Sequence, residues 1–83
     1  MPSFLDHHPM PDLPPSAVDG LKGRITRGEA DEFGWTIKSI YVGTSGTAYC
    51  VSEASDAEAV IKAHAAMGVP ITAADVDEVS SLA

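Results

Sequence analysis

Two neighbouring stretches in the middle of the chain restrict its fold more than any other feature. Trp35 to Val42 is dense in aromatic and β-branched residues, the composition of a strand. Thr47 to Glu53 reads as a second strand, and Gly43-Thr44-Ser45-Gly46 between them is a tight turn, so the pair predicts a β-hairpin. Side chains alternate along a strand. Tyr49, Val51 and Glu53 therefore share one face of the second strand, and Ala48, Cys50 and Ser52 share the other.

What flanks the hairpin completes the pattern. Residues 3–8 read as a strand with Phe4, Asp6 and His8 on one face and Ser3, Leu5 and His7 on the other. Pro9 and Pro11 cannot continue a central ladder, so the strand is expected to stop there. Prolines 14 and 15 suit the first turn of a helix. Val18, Leu21 and Ile25 recur at helical spacing and predict a helix over about residues 15–27, ending near Gly28. Gly20 and Gly23 weaken it by ~1 kcal/mol each relative to alanine. Glu29 to Gly34 reads as a polar connector. After the hairpin, Ser55-Asp56-Ala57-Glu58 has the form of a capping box with Ser55 as the cap. The helix it opens is expected to run to Met67, with Gly68 as its left-handed terminator. Its apolar stripe is Ala57, Val60, Ile61, His64 and Met67, which puts His64 on the buried side. A last short strand fits Val76 to Leu82. The order strand, helix, strand, strand, helix, strand is the split-βαβ, ferredoxin-like arrangement (βαββαβ). It predicts one α+β domain over residues 1–83, a four-stranded antiparallel sheet with both helices on one face. The other face is left open, and a homodimer stacked sheet on sheet is the expected cover.

Size and charge narrow the function. A domain of 83 residues has a limited core and commonly relies on a staple or a partner subunit. Cys50 is the single cysteine, so no disulfide can form within one chain, which leaves oligomerisation, a metal or tight packing. The net charge is −7, and the five basic residues Lys22, Arg24, Arg27, Lys38 and Lys62 are too few to track a phosphate backbone, so nucleic acid is not an expected partner. No apolar run approaches the ~18 residues a membrane helix needs. A lone cysteine with no charged-then-apolar N-terminal segment fits a reducing cytoplasm.

Three short motifs, in order, resemble one family. Phe4-Leu5-Asp6-His7-His8 is similar to the Phe-Met-Asp-x-His start of small actinobacterial nickel-binding proteins of the DUF4242 type. Tyr49-Cys50-Val51-Ser52-Glu53-Ala54 resembles their Phe-Cys-Leu-Ser-Glu-Ala run. His64-Ala65-Ala66-Met67-Gly68 resembles the His-x-x-x-Gly end of their second helix, and the resemblance continues to Val79. Pro9 to Phe33 departs from the pattern, being richer in proline and glycine. The resemblance implies a ferredoxin-like fold, homodimers, and binding of nickel or another divalent transition metal. By matched position it points to Asp6, His8, Cys50 and His64.

The residue types agree with that chemistry. Imidazole suits nickel, copper and zinc, a thiolate adds a soft ligand, and a carboxylate supplies charge. Asp6 and His8 are two apart on a strand and face the same way; His7 faces the opposite way and cannot join them. The first and third strands of this fold are neighbours, which brings Cys50 near, and the second helix can bring His64 across. All four meet only if Asp6, His8 and Cys50 face the helices. Asp6 is hard to dismiss, since a strand disfavours aspartate and a buried carboxylate needs a partner such as a histidine or a metal; the others have a plainer reading: His64 as a hydrogen-bonded core histidine, Cys50 as a small buried hydrophobe, His8 as a solvated strand end, and Glu53 as a solvated end or an outer neighbour of the site. Trp35 and Tyr41 read as core or dimer contacts. Two other functions stay open at this point. One is a cofactor-free oxygenase- or isomerase-like enzyme with a pocket between sheet and helices and His64 as base. The other is a metal-free interaction module using the open sheet face.

Overall fold

The computed structural model describes residues 1–82. Its elements are β1 (Ser3–Pro9), α1 (Pro15–Arg27), β2 (Thr36–Val42), β3 (Thr47–Glu53), α2 (Ala57–Ala66), a 3-10 turn at Ala73–Asp75 and β4 (Val76–Val79). The sheet order is β2-β3-β1-β4, antiparallel throughout, which is the ferredoxin-like arrangement predicted. Among the described residues no helix is long and apolar enough to cross a membrane.

The register decides what lies under the helices. β1 pairs with β3 so that Asp6 is opposite Cys50 and His8 is opposite Ala48. Phe4, Asp6 and His8 are buried on one face of β1, as are Ala48, Cys50 and Ser52 on β3. The apolar core around them includes Trp35, Ile37, Ala54, Val60 and Ile71. His7 and Tyr49 point to the other, solvent-facing side.

Several details differ from the sequence expectation. β1 runs one residue further, through Pro9, which pairs with Thr47; the next ladder bond comes from Met10 N–H to the Gly46 carbonyl at 2.8 Å, so the missing proline donor is not needed there. α2 is capped by Asp56, not Ser55: the Asp56 carboxylate accepts from Ala59 N–H at 2.9 Å, three residues on. β4 stops at Val79 and is introduced by the 3-10 turn, in which Asp75 accepts from Thr72 N–H at 2.8 Å. The buried stripe of α2 is Ala59, Val60, Ala63 and His64, whereas Ala57 and Ile61 are half-buried and Met67 is exposed. From that stripe His64 reaches β1, its Nε2 3.0 Å from Asp6 Oδ2.

α1 behaves differently. It ends at Gly28, as predicted, with that glycine in the left-handed conformation (φ 65°), but it buries none of its residues. The connector after it is ordered by Asp31, whose carboxylate accepts from Phe33 N–H and Trp35 N–H, both at 2.9 Å. That fixes where Trp35 enters the core. Arg24 from α1 stands over the Trp35 ring at 5.5 Å.

Candidate metal centre

Asp6, His8, Cys50 and His64 meet. Each is buried, and one ligand-type atom from each lies within 4.8 Å of all the others. Three elements supply them: β1 gives Asp6 and His8, β3 gives Cys50, and α2 gives His64. His64 Nε2 is 3.0 Å from Asp6 Oδ2, and His8 Nε2 is 3.8 Å from the same oxygen. Cys50 Sγ is 3.8 Å from His8 Nε2. The two imidazoles meet edge to face, their centres 5.2 Å apart.

Backbone carbonyls set the orientation of both histidines. His64 Nδ1 is 2.8 Å from the Val60 carbonyl, and His8 Nδ1 is 2.9 Å from the Pro9 carbonyl. A carbonyl oxygen only accepts, so in each ring Nδ1 carries the proton. In the neutral ring Nε2 is then a bare lone pair, and both Nε2 atoms point into the cluster. This is the tautomer control that metal-binding histidines need. The Trp35 and His64 rings meet in an edge-to-face arrangement, ring centres 5.1 Å apart, which limits the rotation of His64.

The carboxylate is the unusual member. Asp6 has no exposed surface, and neither of its oxygens accepts a hydrogen bond of good geometry. The 3.0 Å approach of His64 Nε2 is close enough for an ion pair but is not aligned as a hydrogen bond. A buried, unsatisfied carboxylate costs several kcal/mol unless a cation meets it. A protonated His64 would be such a cation. Burial pulls its pKa down, but the Asp6 carboxylate and the Val60 carbonyl outweigh burial, and the net shift is upward from 6.5. Burial, reinforced by the Asp6 charge, pushes the Cys50 thiol up to about 12, so it stays protonated at neutral pH.

The donor set fits a divalent metal. Two imidazole nitrogens, one sulfur and one carboxylate form a mixed set of the kind late first-row ions take. A thiolate and a carboxylate together carry two negative charges, which balance a dication inside an apolar surround. Cys50 must lose its proton to join, which is the ordinary cost of thiolate ligation.

Other sequence candidates fall outside the cluster. His7 is exposed on the opposite face of β1. Glu53 is not an outer neighbour of the site; it pairs with Lys38 at 3.3 Å, on the side of β3 away from Cys50. His8 is buried, so the solvated strand-end reading is wrong: β1 continues past it to Pro9. Trp35 is core, as one of its two readings had it. The Val60 and Pro9 carbonyls were not readable as site groups, because nothing in a residue's type announces which neighbour its backbone oxygen will hold.

A cavity of about 350 Å³ opens beside the cluster, between α1 and the sheet, with His8, Cys50 and His64 in its wall. It is the feature that the pocket-enzyme reading required.

A family model described as nickel responsive protein SCO4226-like matches residues 4–78. Among solved structures, the crystal structure of SCO4226 from Streptomyces coelicolor A3(2) aligns with a TM-score of 0.68 at 28% identity, over 98% of this chain and 99% of that one. No curated protein matches the chain.

Proposed function

The chain belongs to the SCO4226-like family of nickel-responsive proteins, and on that premise we propose that it binds one divalent transition metal, nickel first, through Asp6, His8, Cys50 and His64. The carrying observation is the buried convergence of the four side chains, with both histidine Nδ1 atoms held by backbone carbonyls and both Asp6 oxygens lacking a hydrogen bond. The resemblance to DUF4242-type nickel-binding proteins is compatible with this family. When bound, the ion supplies the positive charge that the Asp6 carboxylate lacks. The chain's own part is to orient the imidazoles, exclude water from the carboxylate and surrender the Cys50 proton. A thiol used this way needs a reducing compartment, so we assign the protein to the cytoplasm.

Titration of the metal-free protein with nickel, copper and zinc by calorimetry tests the proposal. One saturable event per chain is expected. With free nickel at about a hundred times Kd the gain is ~2.7 kcal/mol, on the order of 10 °C in Tm for a domain of this size. No heat and no thermal shift, with His8→Ala indistinguishable from the parent, would end the proposal.

The reading includes a homodimer built on the open sheet face. Tyr41 and Tyr49 are cross-strand partners there, exposed at 64% and 39%. A second copy laid on this face covers them. Tyr41→Lys should then shift sedimentation from dimer to monomer while nickel still binds; a monomer in the parent protein at high concentration removes the dimer from the reading.

A further inference from the structure

α1 is the loosest of the elements around the metal centre. Asp6, His8 and Cys50 come from β1 and β3, the two central strands, so the sheet itself closes the cluster on one side. α2 closes a second side and buries four residues in doing so. α1 buries none. The cavity of about 350 Å³ under it is lined by Val18, Leu21 and Ile25 of α1 and by His8, Cys50 and His64. The four ligands are at most 9% exposed. A dication arrives in water with a hydration shell, which openings of that size do not pass.

The helix is also weak by composition. Pro14 supplies no side-chain cap, and no acidic residue stands in the first turn to meet the helix dipole. Gly20 and Gly23 interrupt it, and packing calls for neither. A Cβ at Gly20 would meet nothing beyond its own helix within 4 Å, and the three atoms nearest to one at Gly23 all belong to the flexible guanidinium of Arg27. An internal glycine that no neighbour requires lowers helix stability and gains no contact in return. Elements with few buried groups and weak local structure are those that open ahead of the rest of a fold.

On the metal reading above, we propose that α1 is the gate of that site: the helix unwinds locally to pass the ion and refolds over the loaded cluster. The sheet stays in place while it does so, and β1 and β3 keep Asp6, His8 and Cys50 in register. When closed, α1 sets Arg24 over the Trp35 ring at 5.5 Å, and Trp35 in turn meets His64. Opening of α1 then sets how fast the ion enters and leaves, and the four ligands set how tightly it is held. A helix with an apolar stripe, two unneeded glycines and no buried residue is what such a gate requires.

The test is the double variant Gly20→Ala/Gly23→Ala, which strengthens the helix where there is room for a methyl group. Each change should shift the opening equilibrium about fivefold toward the closed helix. In the pair, nickel uptake and nickel release to the coloured chelator 4-(2-pyridylazo)resorcinol should both slow by about twentyfold, with Kd by calorimetry unchanged. Release should be independent of chelator concentration, since opening comes first. In the metal-free protein, amide exchange read by NMR should show α1 opening well ahead of β1 and β3, and the double variant should protect α1 by the same factor. Unchanged nickel rates in the variant, release that accelerates with chelator concentration, or α1 amides that exchange no faster than those of β3 each overturn the gate. Slower release with unchanged uptake overturns it too, because α1 then holds the bound state and does not control access. The arms separate the two readings: nickel heat with unchanged rates removes only the gate, and no nickel heat in the parent removes the metal reading and the gate with it.

Discussion

Asp6→Asn should lower nickel affinity by about a hundredfold or more, yet leave the Tm of the metal-free protein within about 5 °C of the parent. The two halves of this result have different causes. Asparagine keeps the shape of the side chain and removes its charge. The ion loses a ligand and half of the negative charge that balances it, a greater loss than the ~10–100-fold typical of an outer hydrogen bond to a metal ligand. The metal-free protein loses an ion pair that it barely profits from. Asp6 is fully buried and its oxygens lack aligned hydrogen bonds, so desolvation of the carboxylate already offsets most of the attraction to His64. Without the carboxylate, His64 sheds its proton and its Nε2 accepts from the asparagine amide, and no charge is stranded. Melting curves with and without nickel, together with calorimetry, read both halves. A variant that binds nickel within threefold of the parent would exclude Asp6 as a ligand. A variant that melts far below the parent without metal would mean that Asp6 is a structural ion-pair member first.

Much of this site was legible in the chain, for identifiable reasons. Strand alternation alone separated His7 from His8 and joined Asp6 to His8, and the structure has that division. The composition of Thr47 to Glu53 and the turn before it placed β3 at its observed bounds. Alternation also put Cys50 on the face opposite Tyr49. It could not say which face the helices cover, because a slip of one residue in β1–β3 pairing would turn Cys50 to solvent. His64 was predicted to be buried on a stripe whose members were partly wrong. The expected stripe and the observed one both contain Val60 and His64, so the histidine survived an error in helix rotation. The role of α1 was not legible. Val18, Leu21 and Ile25 give the same periodic pattern whether a helix packs on a sheet or roofs a cavity, since both place apolar groups on one side. Nor was the Asp31 turn, whose aspartate looked like one more charge in a polar connector but positions Trp35 against His64.

Nickel affinity should rise with pH by about a factor of ten per unit across the weakly alkaline range, and more steeply below it. The metal takes Cys50 as thiolate, and burial holds the free thiol up to about 12. At every lower pH one proton must therefore leave Cys50 for each ion bound, which gives the unit slope. His64 adds a second proton at lower pH, because the balance of burial against the Asp6 carboxylate and the Val60 carbonyl raises its pKa above 6.5. Calorimetry in buffers of different ionisation enthalpy counts the protons released. Cys50→Ser should flatten the alkaline limb, and a pH-independent affinity there would exclude the thiolate. The metal-free protein should show the opposite trend in stability. Both folded pKa values are raised, so the folded state holds protons that the unfolded chain gives up, and stability falls as pH rises. The His64 contribution is complete below its ordinary 6.5 and is lost as pH climbs through its folded value. The Cys50 contribution is complete below 9.0 and is lost between there and about 12. Raising pH thus weakens the empty site and strengthens its hold on the ion. Urea midpoints measured against pH, with and without nickel, should diverge in the alkaline range, and parallel curves would show that these two groups do not share one site with the metal.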